Sequence, residues 1–141
     1  NFANPCFESR HNLGYWSNIP YLGVGLNASS YLDEKRFENP SDMKDYLEIQ
    51  SFGDAYEGAR SLSVYEQMEE FMFLGLRLTG GVRTAEFERR FGVAMEAVYG
   101  EVIERLLKEG LLEASVQTDS HIRLTEYGLD VSTYALAEFL Q

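Results

Sequence analysis

The chain concentrates its most reactive side chains in Arg10-His11-Asn12-Leu13-Gly14-Tyr15-Trp16, which holds one of two histidines and the only tryptophan. An imidazole ligates iron axially. Indole and phenol faces pack against a flat apolar macrocycle, and the Arg10 guanidinium suits a carboxylate such as a propionate. Spacing alone leaves a second reading open, because a lone loop histidine also serves as a hydrogen-bonded structural residue. The other histidine, His121, begins a strand beside a turn with no second metal-ligating side chain at a suitable spacing, and reads as a surface residue. Cys6 is the only cysteine. It cannot form an internal disulfide, and alone it cannot supply a thiolate zinc site or an iron–sulfur cluster.

The reactive segment needs elements to position it. Residues 1–18 have few periodic apolar positions and read as loop with short pieces. Tyr21-Leu22-Gly23-Val24-Gly25-Leu26, after Pro20, is a short apolar run that suits a strand buried on both faces, with glycine where another backbone or a ligand comes close. A second strand is expected at Tyr31-Leu32 or Lys35 to Glu38. Asn39-Pro40-Ser41-Asp42 starts a helix carrying Met43, Tyr46 and Leu47. Residues 52–58 read as connection.

From Ser63 the pattern is sharper. Ser63-Val64-Tyr65-Glu66 matches a capping box, and Val64, Met68, Phe71, Met72 and Gly75 form a helical stripe closed by Thr79-Gly80-Gly81. Thr84 caps a short helix with Phe87 and Phe91, stopped by Gly92. Met95, Val98, Tyr99, Val102, Ile103, Leu106 and Leu107 give the strongest helical periodicity, ended by Gly110. Leu111 to Val116 and His121 to Leu124 read as a hairpin around a turn at 117–120. Thr125 leads into a last helix with Leu129, Leu136, Phe139 and Leu140 as core. The order is that of a helix–turn–helix followed by a two-stranded wing.

That arrangement often reads DNA, but the charge opposes it here. The chain carries 12 basic and 23 acidic side chains and a net charge of −11. The helix in the recognition position bears Glu96, Glu101, Glu104 and Glu109 against Arg105 and Lys108, the wrong surface for a phosphate groove. Nucleic acid and anionic membrane are disfavoured as partners. Glu101 with Arg105 and Glu104 with Lys108 are expected to pair along the helix. No apolar run reaches the roughly 20 residues that span a bilayer. The opening residues lack the basic start and apolar stretch of a signal peptide, so a cytoplasmic location is expected. The first residue is not methionine, and residues 1–62 resemble the later part of something larger.

The strings Asn1-Phe2-Ala3, Arg10 to Trp16 and Pro20-Tyr21-Leu22-Gly23-Val24-Gly25 resemble the distal part of the HemW family, radical-SAM proteins related to oxygen-independent coproporphyrinogen III oxidase. Glu69 to Arg77 and Arg123-Leu124-Thr125-Glu126-Tyr127-Gly128-Leu129 are similar to that family's C-terminal domain. The resemblance covers nearly the whole chain, and His11-Asn12-x-x-Tyr15-Trp16 is its specific part.

The resemblance implies an α+β chain: a mostly helical, winged-helix-like domain over 63–141, preceded over 1–62 by the last elements of a truncated radical-SAM barrel. It implies that His11, Asn12, Tyr15 and Trp16 bind haem, with His11 on the iron, and that Gly23 and Gly25 lie near S-adenosylmethionine in the parent barrel. The implied partners are haem or porphyrin and a haem-acceptor protein, with membrane contact only through that acceptor. The family's Cys-x3-Cys-x2-Cys motif is absent, so this chain holds no [4Fe–4S] cluster and cleaves no S-adenosylmethionine. It is expected to be a non-enzymatic fragment. Ser29 stands where many members have histidine, so no ligand contact is carried over to that position. Two alternatives stand beside the haem chaperone: a parent oxidoreductase that decarboxylates coproporphyrinogen III, and a ligand-free protein-interaction domain. The His11 to Trp16 element favours the chaperone.

Overall fold

A computed structural model describes residues 3–4, 6–49, 58–115 and 120–140. The chain divides into two compact units, Asn1–Asn18 with Met68–Gln141, and Ile19–Gln67. This partition differs from the cut expected between 62 and 63. The opening residues join the C-terminal unit because Leu13 and Trp16 find apolar neighbours there, Leu78 among them.

Within Ile19–Gln67, β1 (Ser29–Leu32), β2 (Lys35–Glu38) and β3 (Arg60–Ser61) form an antiparallel sheet in the order β1-β2-β3. Both segments considered for a second strand are strands, and they pair as one hairpin from Ser29↔Glu38 to Leu32↔Lys35. Asp33 and Glu34 connect them with φ of 47° and 59°, as the tight turn that matches strand twist requires. α2 (Met43–Glu48) starts where expected, with the Asp42 carboxylate accepting from the N–H groups of Lys44 and Asp45.

The glycine-containing run is not a strand buried on both faces. Only Tyr21 bridges to Tyr31, and Leu22 and Val24 are 54% and 83% exposed. Side chains hold its backbone instead of a ladder. Asn39 Nδ2 donates to the Gly23 and Gly25 carbonyls at 3.2 and 2.8 Å. The Gly23 and Gly25 N–H groups donate to Ser30 Oγ and the Tyr46 hydroxyl. Gly25 adopts φ +106°, a conformation that breaks strand geometry and suits glycine.

In the larger unit, α1 (Arg10–Trp16) is a helix where loop was expected. α3 (Val64–Gly75), which belongs to this unit from Met68 on, β4 (Val82–Arg83), α4 (Thr84–Phe91), α5 (Met95–Lys108), β5 (Leu112–Ser115), β6 (His121–Leu124), α6 (Glu126–Asp130) and α7 (Ser132–Ala137) follow. The second sheet has the order β4-β6-β5, with Val82↔Ile122 and Leu112↔Leu124 in register. The core is Met72, Leu76, Phe87, Met95, Tyr99, Leu106, Leu136 and Phe139. Burial pushes the Tyr99 phenol up to about 12. Among the described residues, no helix is long and apolar enough to cross a membrane. The expected connection at 52–58, the turn at 117–120 and Val116 lie outside the described residues, apart from Gly58 and Ser120.

Three local expectations are corrected. Thr84 is the first residue of α4 rather than its cap, and its N–H and hydroxyl both donate to the Ser120 carbonyl. The last helix is two short ones, α6 capped by Thr125 Oγ1, with a break at Val131. That break resets the helical phase, so Leu136 and Phe139 are buried while Leu129 and Leu140 are exposed. Arg105 pairs with Glu138 instead of Glu101, whereas Glu104 and Lys108 pair at 2.7 Å.

The capping box forms in full. Ser63 N–H donates to Glu66 Oε2 at 2.8 Å, and Glu66 N–H to Ser63 Oγ at 3.2 Å. The backbone hydrogen bond from Ser63, then its side chain, and the Arg60 guanidinium hold the Glu66 carboxyl below its ordinary value. Its contribution is complete above the ordinary carboxylate range and is lost as pH falls through the lowered value. Ser63→Ala is expected to cost about 1 kcal/mol, read as a lower urea midpoint at neutral pH. An unchanged midpoint would count against the cap.

Candidate functional site

Seven residues make a marginal helix, and α1 has Gly14 inside it. Local bonds hold it. Ser9 Oγ accepts from Asn12 N–H at 3.4 Å, and the Ser17 N–H donates to the Leu13 carbonyl at 2.9 Å. Packing holds it as well, because Leu13 and Trp16 line a groove with Phe7, Arg77, Leu78 and Thr79.

Helical spacing sorts the four candidate residues into two pairs, each at i and i+4. His11 and Tyr15 are both exposed, and their rings meet edge to face, with centroids 4.7 Å apart and planes at 82°. Asn12 and Trp16 are partly buried and line the groove. The structure therefore gives the motif two jobs. One pair presents an imidazole and a phenol outward. The other seats the helix and forms the groove wall.

The groove encloses about 520 Å³. Trp16 and Leu78 also line a smaller cavity of about 150 Å³ with Phe71, Gly75 and Val82. Asn18 lies on that cavity, and its Nδ2 is buried with no hydrogen-bond partner. Such an orphan donor favours a ligand oxygen or a water. Arg77 stacks over Phe73, with its guanidinium carbon 4.4 Å from the ring centroid. No cluster of three or more metal-ligating side chains occurs among the described residues, so iron would be met by a single imidazole with its remaining ligands from elsewhere.

Gly23 and Gly25 belong to the Ile19–Gln67 unit. They are engaged by Ser30, Asn39 and Tyr46 rather than with the α1 motif. Ser29 Oγ donates to Glu38 Oε1 across the hairpin at 3.2 Å. Sequence reasoning missed Arg77 and Phe7 as site residues. The signal for Arg77 was Phe73 four positions earlier on a predicted helix, a spacing that lets a guanidinium stack on a ring.

An exposed imidazole, aromatic walls and an arginine suit a flat, apolar iron complex with carboxylates. Comparison with known proteins bears on that fit. Residues 62–131 match the family described as HemN C-terminal domain. The heme chaperone HemW of Bacillus subtilis (strain 168) is 36% identical over 141 residues, covering 99% of this chain and 36% of that protein. The chain is HemW-like. Its residues 62–131 are similar to the HemN C-terminal domain. The heme chaperone HemW of Lactococcus lactis subsp. lactis (strain IL1403) is 37% identical over 140 residues, again 99% of this chain and 36% of the relative. The HemW-like chain thus spans about a third of the length of these curated relatives. Among solved structures, coproporphyrinogen III oxidase (HemN) from Escherichia coli, a radical SAM enzyme, matches 84% of this chain and 27% of its own. Its TM-score is 0.59 at 16% identity, a likeness of fold. The HemW-like chain shares an α+β fold with it.

Proposed function

We propose that this chain is the haem-holding C-terminal region of a cytoplasmic haem chaperone, which receives haem as cargo and yields it to an acceptor protein. His11 ligates the iron through its exposed imidazole. Tyr15 packs edge-on against that ring and limits its rotation. Asn12 and Trp16 fix α1 on the C-terminal unit. The observation that carries this reading is the His11–Tyr15 pair on the open face of α1, where an imidazole nitrogen is reachable by a ligand as large as haem.

In this reading the region performs no chemistry of its own. The S-adenosylmethionine and [4Fe–4S] chemistry of the family resides elsewhere in the parent protein. We also read the α3–β4–α4–α5–β5–β6 order as winged-helix-like, and the segment before it as the last elements of a radical-SAM barrel. Support for both is the likeness to HemN. Gly23 and Gly25 near S-adenosylmethionine is a proposal of the same kind, and the side-chain clasp around them offers a fixed backbone surface for it.

The test is a hemin titration followed by Soret absorbance, with His11→Ala in parallel. Hemin adheres to any exposed apolar surface, so the difference between the two proteins is the readout. The native chain is expected to show a ligated Soret spectrum, and His11→Ala to lose that spectrum. Coincident curves would overturn the assignment of His11.

A further inference from the structure

We infer that the groove between α1 and the Arg77–Thr79 turn is a second binding site, for the carboxylate-bearing edge of a flat aromatic ligand of the porphyrin class, with Arg77 as its anion anchor. The site lies on the Asn12 and Trp16 face of α1, a different pair of side chains from His11 and Tyr15. Only the choice of porphyrin over other aromatic carboxylates rests on the chaperone reading.

Charge is the first argument. In a chain with 23 acidic and 12 basic side chains, several exposed arginines pair with a carboxylate. Arg60, Arg89, Arg105 and Arg123 all do. Among the described residues no carboxylate pairs with Arg77, and its guanidinium contact is the Phe73 ring. Stacking fixes one face of the guanidinium and leaves its in-plane N–H donors available, the geometry that takes a carboxylate with two parallel bonds.

Shape is the second argument. Phe7, Leu13, Trp16 and Leu78 make the groove mostly apolar, and two of the four are aromatic. A ligand that buries a ring there and reaches Arg77 with an acid satisfies both halves of the lining. Glu8 is the other charged residue on the groove, and its carboxylate accepts a hydrogen bond from Cys6 N–H at 3.2 Å. The orphan Nδ2 of Asn18, on the adjoining cavity, is a further donor for a ligand oxygen.

The only tryptophan lines this groove, so a porphyrin bound there quenches its fluorescence. Metal-free protoporphyrin IX is the probe, because without iron its binding does not depend on an imidazole ligand. Its dimethyl ester, which lacks the acids, is the comparison. The free acid is expected to quench Trp16 saturably in the full chain. Arg77→Leu is expected to bind about tenfold more weakly, the loss typical of one charge-assisted contact, and Arg77→Lys to fall between. His11→Ala is expected to bind like the native chain. Matching far-UV circular dichroism for all variants establishes that they fold. Equal quenching by acid and ester, or an Arg77→Leu curve on top of the native one, overturns the anchor. Loss of binding in His11→Ala overturns the second site, since one site would then explain both. The iron-free probe keeps these outcomes separate from the hemin test, which can fail while this one succeeds.

Discussion

Gly81→Ala is expected to lower the thermal midpoint of the C-terminal unit by about 10–20 °C, one of the two largest effects in the chain. Two costs add. Gly81 has φ +68°, where a side chain costs about 1–2 kcal/mol. A Cβ there would also lie 2.1 Å from the Ile122 carbonyl oxygen and 2.6 Å from Arg123 Cβ. Those atoms belong to β6, which pairs with β4 through Val82↔Ile122 immediately after the glycine. Relieving the overlap moves one strand off the other, a strain of about 1–3 kcal/mol by analogy with overpacked cores. Gly80→Ala is the control. Nothing lies within 4 Å of its Cβ, so its change should stay within about 0.5 kcal/mol. Identical melting of Gly81→Ala and the native protein would overturn this account of the β4–β6 approach.

Phe87→Ala should match or exceed that loss, at about 3–5 kcal/mol. Phe87 is fully buried. Its ring meets Phe71, Phe91 and Tyr99 at centroid distances of 5.6, 4.8 and 6.0 Å, and Tyr99 meets Phe139 at 5.4 Å. One truncation therefore opens a cavity among α3, α4 and α5 that rigid aromatic neighbours cannot fill by small rotations. The measurement is urea unfolding, with the midpoint falling and the slope unchanged. Phe87→Leu retains most of the apolar volume and should lose less. A loss below about 1 kcal/mol for the alanine variant would mean that the aromatic cluster is not the centre of the fold.

Where the sequence was readable, the reason is that local signals and packing agreed. Met95 to Leu107 gave α5 because its apolar stripe is long enough to face one core. Ser63 and Glu66 gave the start of α3 because both halves of the box are three residues apart and need no distant partner. The β5–β6 hairpin came from alternation on either side of a turn. The failures are places where distant side chains decide. Tyr21 to Gly25 has strand composition, yet Asn39 and Tyr46, fourteen or more residues away, take its backbone groups. Residues 10–16 carry no apolar stripe, and their helix exists through Ser9 and through neighbours on Leu78 and Arg77. The candidate site was half legible for the same reason. Residue types exposed His11 and Trp16 as chemistry, but only the helix separates them onto different faces, and only tertiary packing brings Arg77 to the groove.

The larger unit is discontinuous. α1 and its groove partners are separated in the chain by the whole of Ile19–Gln67. Docking α1 is in effect an intramolecular binding reaction with a tether. The tether sets how often the helix meets its seat, and therefore its effective concentration. A folded tether holds its two ends at one span, whereas an unfolded one samples many. Stability within Ile19–Gln67 thus feeds into closure of the groove through chain connectivity alone, and a substitution in the β1–β2 hairpin can loosen a site to which it contributes no side chain.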